Sequence, residues 1–343
     1  MSTSVKDVAA RAGVSVGTVS NVLNRPEKVS EDTVARVHAA IDELGFVRND
    51  AARQLRAGRS RSIGLIVLDV ANPFFTDVAR GAEDRAADEG FSVLLGNSDE
   101  NPSREGAYLD LFEEQRVAGV LISPLGDAMP RLAQLRHRGT PTVLVDRQTE
   151  DATFSSVSVD DVAGGYLAVR HLIDIGRTRI AFIGGPLTIT QVSDRLTGAR
   201  QAVAEAVRSG LEVELELVET ASLTVLEGRS VGDRLQEELG SVRPSLPDAV
   251  FAANDLLAMG VLQSLTMLGE VRVPEDVALI GYDDIGFASA AVVPLSSIRQ
   301  PSSLIGHTAV DLLLREAAEG EAFVPEQIVF QPELVIREST AGV

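Results

Sequence analysis

The chain of 343 residues is predicted to fold as an all-α helix-turn-helix head with a further short helix, followed by an α/β body of two doubly wound lobes. Three observations predict this. Helical apolar spacing near the N-terminus is broken by a tight turn at Ala12-Gly13-Val14. A further helical stretch, Asn49 to Ala57, is too short to stand alone in water. From Ser62 onward short apolar runs alternate with helical spacing, the signature of parallel sheets.

In the head, Ser4 followed by Asp7 forms a capping-box pattern for helix 1. Val8, Ala9 and Ala12 line its apolar face. Ser15 is placed to cap helix 2, with Thr18 at its third position, and Val19, Val22 and Leu23 line that helix. Val29-Ser30 opens a third helix that runs to Leu44-Gly45-Phe46. Two short helices meeting at a glycine turn form a helix-turn-helix, whose second helix fits a DNA major groove. An ordinary three-helix bundle without a DNA role is the structural alternative.

In the body, Ser62–Val70 reads as a strand, followed by a helix near Phe75–Glu89. Ser92–Asn97, Gly119–Ser123, Thr142–Asp146, Arg179–Gly184, Ala249–Ala253 and Val277–Tyr282 read as further strands. Glu333–Ile336 reads as the last, with no heptad extension after it, so a dimer is expected rather than a coiled-coil tetramer. Ligands of such sheets gather beyond the carboxyl ends of the strands. The residues there are Asp69, Asn72, Phe74 and Phe75; Asp146 and Arg147; Asn254 and Asp255; Asp283 and Asp284; with Arg195 and Gln300 also in the set. Carboxylates and amides satisfy paired hydroxyls, Arg donates to ring oxygens, and aromatic faces cover C–H surfaces, so the mix suits a sugar.

Composition narrows the class. A hydrophobic fraction of 45% supports a sizeable core, and no apolar run reaches the roughly eighteen residues of a membrane span. There is no export signal pattern and no cysteine, so a cytoplasmic protein without disulfides is expected. The net charge of −19 divides into +2 over residues 1–60 and −21 over the rest. A weakly basic head on an acidic body implies modest nonspecific DNA affinity, carried by Lys6, Arg25, Lys28, Arg53, Arg56 and Arg59.

The ordered set Asp7-Val8-Ala9, Ala12-Gly13-Val14-Ser15, Thr18-Val19-Ser20, Val22-Leu23-Asn24 and Asn49-Asp50-Ala51-Ala52-Arg53-Gln54-Leu55 resembles the head and hinge of the lactose-repressor family of bacterial transcription regulators. The resemblance implies that Ser15, Thr18 and Ser20 hold phosphates while Val16, Gly17 and Asn21 face bases, Asn21 pairing with adenine. Asn24, Leu55 and Arg56 complete the DNA-facing set. Leu55 would be a wedge in the minor groove at the centre of a near-palindromic operator, which requires a symmetric homodimer. Packing on the head is the plain alternative for Leu55, and a solvent-facing role for Asn21.

Residues 62–340 resemble the periplasmic-binding-protein type I fold. Asn72, Phe74, Phe75, Asp146, Arg147, Arg195, Asn254, Asp283 and Gln300 look like the ligand set of its ribose-binding members. Purine-binding relatives tend to carry an aromatic in place of Arg147. A further aromatic expected near Ala221–Leu223 is missing, which leaves the sugar open. Phe74 and Phe75 are not both expected to face a ligand, Asp69 and Asp255 also read as helix caps, and Asp284 reads as support.

The expected boundaries are 1–46 for the head, 47–61 for the hinge and 62–343 for the effector and dimerisation body. The expected function is a sugar-responsive repressor. A purine- or phosphosugar-responsive corepressed regulator and a stand-alone sugar-binding protein are the rivals. An enzyme is disfavoured: the four histidines are scattered, there is no P-loop, and Gly184-Gly185-Pro186 lacks the later glycine of a dinucleotide fingerprint. No cofactor or metal is expected.

Overall fold

The computed structural model describes residues 3–46, 60–126, 128–149, 152–239, 247–267 and 271–341. Two compact units emerge, residues 1–60 and 61–343.

The first unit contains α1 (Val5–Ala12), α2 (Val16–Asn24) and α3 (Glu31–Leu44). The Ser4 N–H and hydroxyl both donate to the Asp7 carboxylate, at 2.8 and 2.7 Å, and start α1. Gly13 ends it at φ +66°, a left-handed conformation that costs glycine least. Ser15 then accepts the Thr18 N–H at 3.0 Å and starts α2. Such a cap contributes about 1 kcal/mol. Val8, Ala9, Ala12, Val19, Val22, Val37 and Ala40 form the buried centre, edged by Leu23, Ile41, Leu44 and Phe46. The small residues let three short helices approach closely. The segment expected to form the hinge, with Leu55 and Arg56, lies outside the described residues.

The second unit holds two six-stranded sheets. Its first lobe contains β1 (Ser62–Val67), α4 (Pro73–Asp88), β2 (Ser92–Asn97), α5 (Pro102–Glu114), β3 (Val120–Ile122), α6 (Met129–His137), β4 (Thr142–Val145) and β5 (Ser155–Val159). The second contains α7 (Asp161–Asp174), β6 (Arg179–Ile183), α8 (Thr190–Arg208), β7 (Glu214–Val218), α9 (Val225–Leu239), β8 (Ala249–Ala252), α10 (Asp255–Met267), β9 (Ala278–Asp283) and β10 (Ser296–Arg299). The chain returns to the first lobe as α11 (Ser302–Glu319) and β11 (Gln327–Phe330). It ends in the second with β12 (Glu333–Val335) and α12 (Glu338–Ala341). The sheet orders are β11-β5-β4-β3-β1-β2 and β12-β10-β9-β8-β6-β7.

The chain therefore crosses between lobes three times, at 159–161, 299–302 and 330–333. Inner strands such as β3, β4, β8 and β9 are buried on both faces, as helices packed on both sides of a parallel sheet require. The sheets are parallel as expected, with one antiparallel pairing at an edge, where β12 runs against β10.

Three helix pairs pack through facing glycines: Gly81 with Gly306, Gly165 with Gly198, and Gly228 with Gly260. A Cβ at any of the six would lie 1.9 to 2.1 Å from a backbone oxygen of the opposing helix. The Gly165–Gly198 contact draws α8 against α7, and Arg195 sits on α8 one turn before Gly198.

Candidate functional site

On the head, Ser15, Val16, Gly17, Asn21 and Asn24 are exposed, while Thr18 and Ser20 are half-buried. Among the described residues the start and one face of α2 are thus exposed, while Val19 and Val22 hold the opposite face in the core. Ser15 and Thr18 hydroxyls share a hydrogen bond of 2.9 Å, and Asn24 Nδ2 donates to the Ser20 carbonyl at 2.8 Å. A Cβ at Gly17 would meet only Ser15 Oγ at 3.5 Å, ordinary contact, so the glycine leaves an open backbone surface rather than relieving a clash.

In the body, a cleft of about 460 Å³ opens between the lobes at the carboxyl ends of the strands. Leu68, Asp69, Asn72, Phe74, Phe75, Glu100 and Asp146 line it from the first lobe. Ile189, Gln191, Val192, Arg195, Leu223, Asn254 and Asp283 line it from the second.

Asn72 caps α4 by accepting the Phe74 N–H at 3.0 Å, and its amide reaches across the cleft to Asp283 at 2.8 Å. Phe74 and Phe75 pack edge to face, centroids 5.0 Å apart; both rings border the cleft and both are buried in the core. Asn254 caps α10 through the Leu257 N–H at 2.9 Å and donates to the Leu223 carbonyl at 3.1 Å. Leu223 stands where the sequence lacks the additional aromatic.

Arg195 is 4% exposed. Its Nε donates to Asp161 at 2.8 Å, Nη1 donates to the Ala253 carbonyl at 2.7 Å, and the guanidinium stacks 3.7 Å from the Tyr282 ring centre. Burial alone would lower its pKa, but Asp161, the Tyr282 phenol, Asp283 and Asp146 outweigh it and hold the charge. Asp283 accepts from Asn72 and from Gln300, each at 2.8 Å, and lies 3.9 Å from Arg195. Burial nonetheless pushes its pKa up. Asp146, at φ +55°, accepts from Gln191 Nε2 at 3.0 Å, and its Oδ1 has no partner among the described residues. Burial, then the nearby Asp161, raises its pKa well above the usual carboxylate range.

Seven of the nine expected ligand residues line this cleft; Arg147 and Gln300 do not. Arg147 donates to the Thr190 hydroxyl, a link between lobes at the cleft's flank, and Gln300 orients Asp283 from behind. Asp284 accepts from Arg299 at 2.7 Å and forms an ion pair with Arg337 at 2.7 Å. Asp255 accepts the Ile285 N–H and the Ser297 hydroxyl, so Asn254 is the cap of α10. Asp69 closes a local turn onto the Ala71 N–H at 2.9 Å.

Gln191, Asp161 and Glu100 are absent from the sequence-derived set. Gln191 precedes Arg195 by four residues, so helical spacing alone places both on one face. No signal in the sequence marks Asp161 as the counter-ion of Arg195. A cleft with carboxylates, amides and one guanidinium around aromatic faces can bind a small polyhydroxylated molecule across both lobes.

A helix-turn-helix head joined to a two-lobed binding body defines a class: DNA-binding transcriptional regulators with an effector domain. Residues 4–49 match the model described as bacterial regulatory proteins, lacI family, and residues 169–340 match the periplasmic binding protein-like domain. The ribose operon repressor of Bacillus subtilis is 39% identical over 310 residues, 90% of each chain. The HTH-type transcriptional repressor PurR of Escherichia coli O139:H28 is 34% identical over 98% of this chain and 96% of its own. The lac repressor dimer bound to operator and the anti-inducer ONPF superposes with a TM-score of 0.82 at 28% identity, covering 99% and 100% of the two chains. A LacI family transcriptional regulator from Enterococcus faecium with bound ribose gives 0.72 at 29% identity, over 82% of this chain and 99% of its own. The chain belongs to the lacI family of DNA-binding transcriptional repressors.

Proposed function

We propose that this repressor answers to a pentose, D-ribose first, bound in the inter-lobe cleft. The observation that carries the reading is the cleft wall itself, where Asn72, Phe74 and Asp146 from one lobe face Arg195, Asn254 and Asp283 from the other. A ligand held by both lobes favours one lobe arrangement over others, and differential affinity of that kind is what a switch requires. The ribose named for the B. subtilis repressor and found bound in the E. faecium regulator supports the same class of effector.

Residues 1–46 act as the operator-reading head, 47–61 as the hinge and 62–343 as the effector and dimerisation body. Ser15, Thr18 and Ser20 hold phosphates, Val16, Gly17 and Asn21 face bases, and Asn24 and Arg56 add DNA contacts. Two subunits place paired Leu55 wedges at the centre of a near-palindromic operator. The exposed Leu94 and Leu95 on the edge strand β2 support a partner surface in the first lobe. Effector binding releases the operator, and the protein works in the cytoplasm with its DNA.

Calorimetric titration of the full chain with D-ribose, other pentoses, hexoses and a purine base tests the effector. Heat with ribose that disappears in a folded Arg195→Ala variant is expected; a purine as the sole ligand overturns the pentose reading.

A further inference from the structure

The cleft is electrostatically lopsided. Asp69, Glu100, Asp146 and Asp283 line it against the single guanidinium of Arg195. That guanidinium is already engaged by Asp161 and the Ala253 carbonyl.

Asp69 and Glu100 take no part in the cross-lobe bonds. Asp69 follows β1, and the Glu100 N–H donates to the Leu68 carbonyl at 3.2 Å, which seats the turn after β2 beside it. Asp99 and Glu100 are consecutive non-glycine residues at φ +54° and +53°, so this turn is held in a conformation that side chains seldom adopt. Among the described residues neither Asp69 nor Glu100 has a cationic partner, while the nearby Arg104 pairs with Asp99 instead. Burial, then the charges of Asp69 and Asp99, raises the pKa of Glu100. A second observation points into the same space: buried Asp146 keeps an unpartnered Oδ1 on the cleft wall.

We propose that Asp69 and Glu100 act as a charge filter that bars anionic ligands, phosphorylated sugars above all, and reserves the cleft for uncharged polyols. A phosphate ester needs free cations or N–H groups to replace its hydration, and here it meets carboxylates from both lobes. Like-charge juxtaposition is a recognised means of rejecting a competitor that otherwise fits. The inference rests on the sugar-effector reading above and adds which sugars are refused and by which residues.

The test is calorimetry on the full chain with D-ribose and D-ribose 5-phosphate as a matched pair. The ester is expected to bind at least about 100-fold more weakly, and the gap to shrink at high salt as screening grows. In Glu100→Gln, and further in Glu100→Gln with Asp69→Asn, the ester-to-sugar affinity ratio rises about tenfold, whatever happens to ribose itself. Both substitutions keep shape, and the amide that replaces the Asp69 carboxylate retains an acceptor for the Ala71 N–H. Should the variants fail to fold, the salt dependence of the natural protein carries the test. An ester that binds as tightly as the sugar, or a ratio blind to both substitutions and to salt, overturns the filter and leaves the effector reading standing. Silence with both members of the pair overturns the pentose effector reading, and the filter with it.

Discussion

Replacing Arg195 by Met tests whether the buried cation organises the cleft. Met keeps a long apolar side chain against Tyr282 while removing the charge, so the loss reports electrostatics more than volume. The Asp161 side chain, 7% exposed and 2.8 Å from Arg195 Nε, is left without its cation. Removing one partner of a buried ion pair costs about 3–5 kcal/mol, mostly because the other charge stays buried and uncompensated. The stack on Tyr282 adds up to about 2 kcal/mol when desolvated, overlapping with the first figure rather than adding to it. At an m-value near 3 kcal/mol/M, the urea midpoint of the body falls by about 1–1.7 M. Urea unfolding followed by circular dichroism reads this directly. Pairing the change with Asp161→Asn removes the orphaned charge, so the double variant loses less than the two singles together, with a coupling of about 2–3 kcal/mol. A loss under about 1 kcal/mol, or strict additivity, refutes the ion pair as the organiser.

Three other outcomes follow from the same geometry. Burial, then the charge of Asp283, raises the pKa of Asp255 well above its ordinary 3.8. The native state thus retains a proton that the unfolded chain releases, and that stability, full below the unfolded value, is lost as pH rises through the folded one. Asp255→Asn should flatten the fall in urea midpoint as pH rises above the ordinary carboxylate range and should be the more stable form at the alkaline end; parallel curves would contradict this. Gly198→Ala puts a Cβ 1.9 Å from the Val162 carbonyl and should cost about 1–3 kcal/mol and weaken effector binding through Arg195, whereas Gly106→Ala, with nothing within 4 Å, should be neutral or stabilising by up to about 1 kcal/mol. Denaturant melts and titration of both variants check it. Asn21→Ala should lose about 1–3 kcal/mol of discrimination for one adenine, read by selection from a randomised duplex pool, where an unchanged consensus would remove Asn21 from base reading.

The head was legible almost residue by residue because its determinants are local. Ser4, Gly13 and Ser15 cap and turn within three or four residues of their partners. Strands at the centre of a sheet were legible as apolar runs, since both faces are buried. β5, Ser-Ser-Val-Ser-Val, escaped that criterion because its buried serines depend on distant segments; Ser155 Oγ accepts the N–H of Glu326, far along the chain. Edge strands β7 and β11 also escaped, being only half covered. In the site, residues at strand ends were found by topology. Partners that exist only through tertiary pairing, Asp161 for Arg195 and Gln191 for Asp146, were not. Arg147 stands next to Asp146 in sequence yet turns to Thr190, since at φ +55° the backbone of Asp146 redirects the chain at that point.

Control of operator affinity by the effector is read by fluorescence anisotropy of the full chain on a labelled operator duplex, with and without saturating D-ribose. Operator affinity is expected to be at least about tenfold weaker with ribose, because a ligand shifts the equilibrium only by its differential affinity for the two states. Ribose that binds in the cleft and leaves operator affinity unchanged would contradict it.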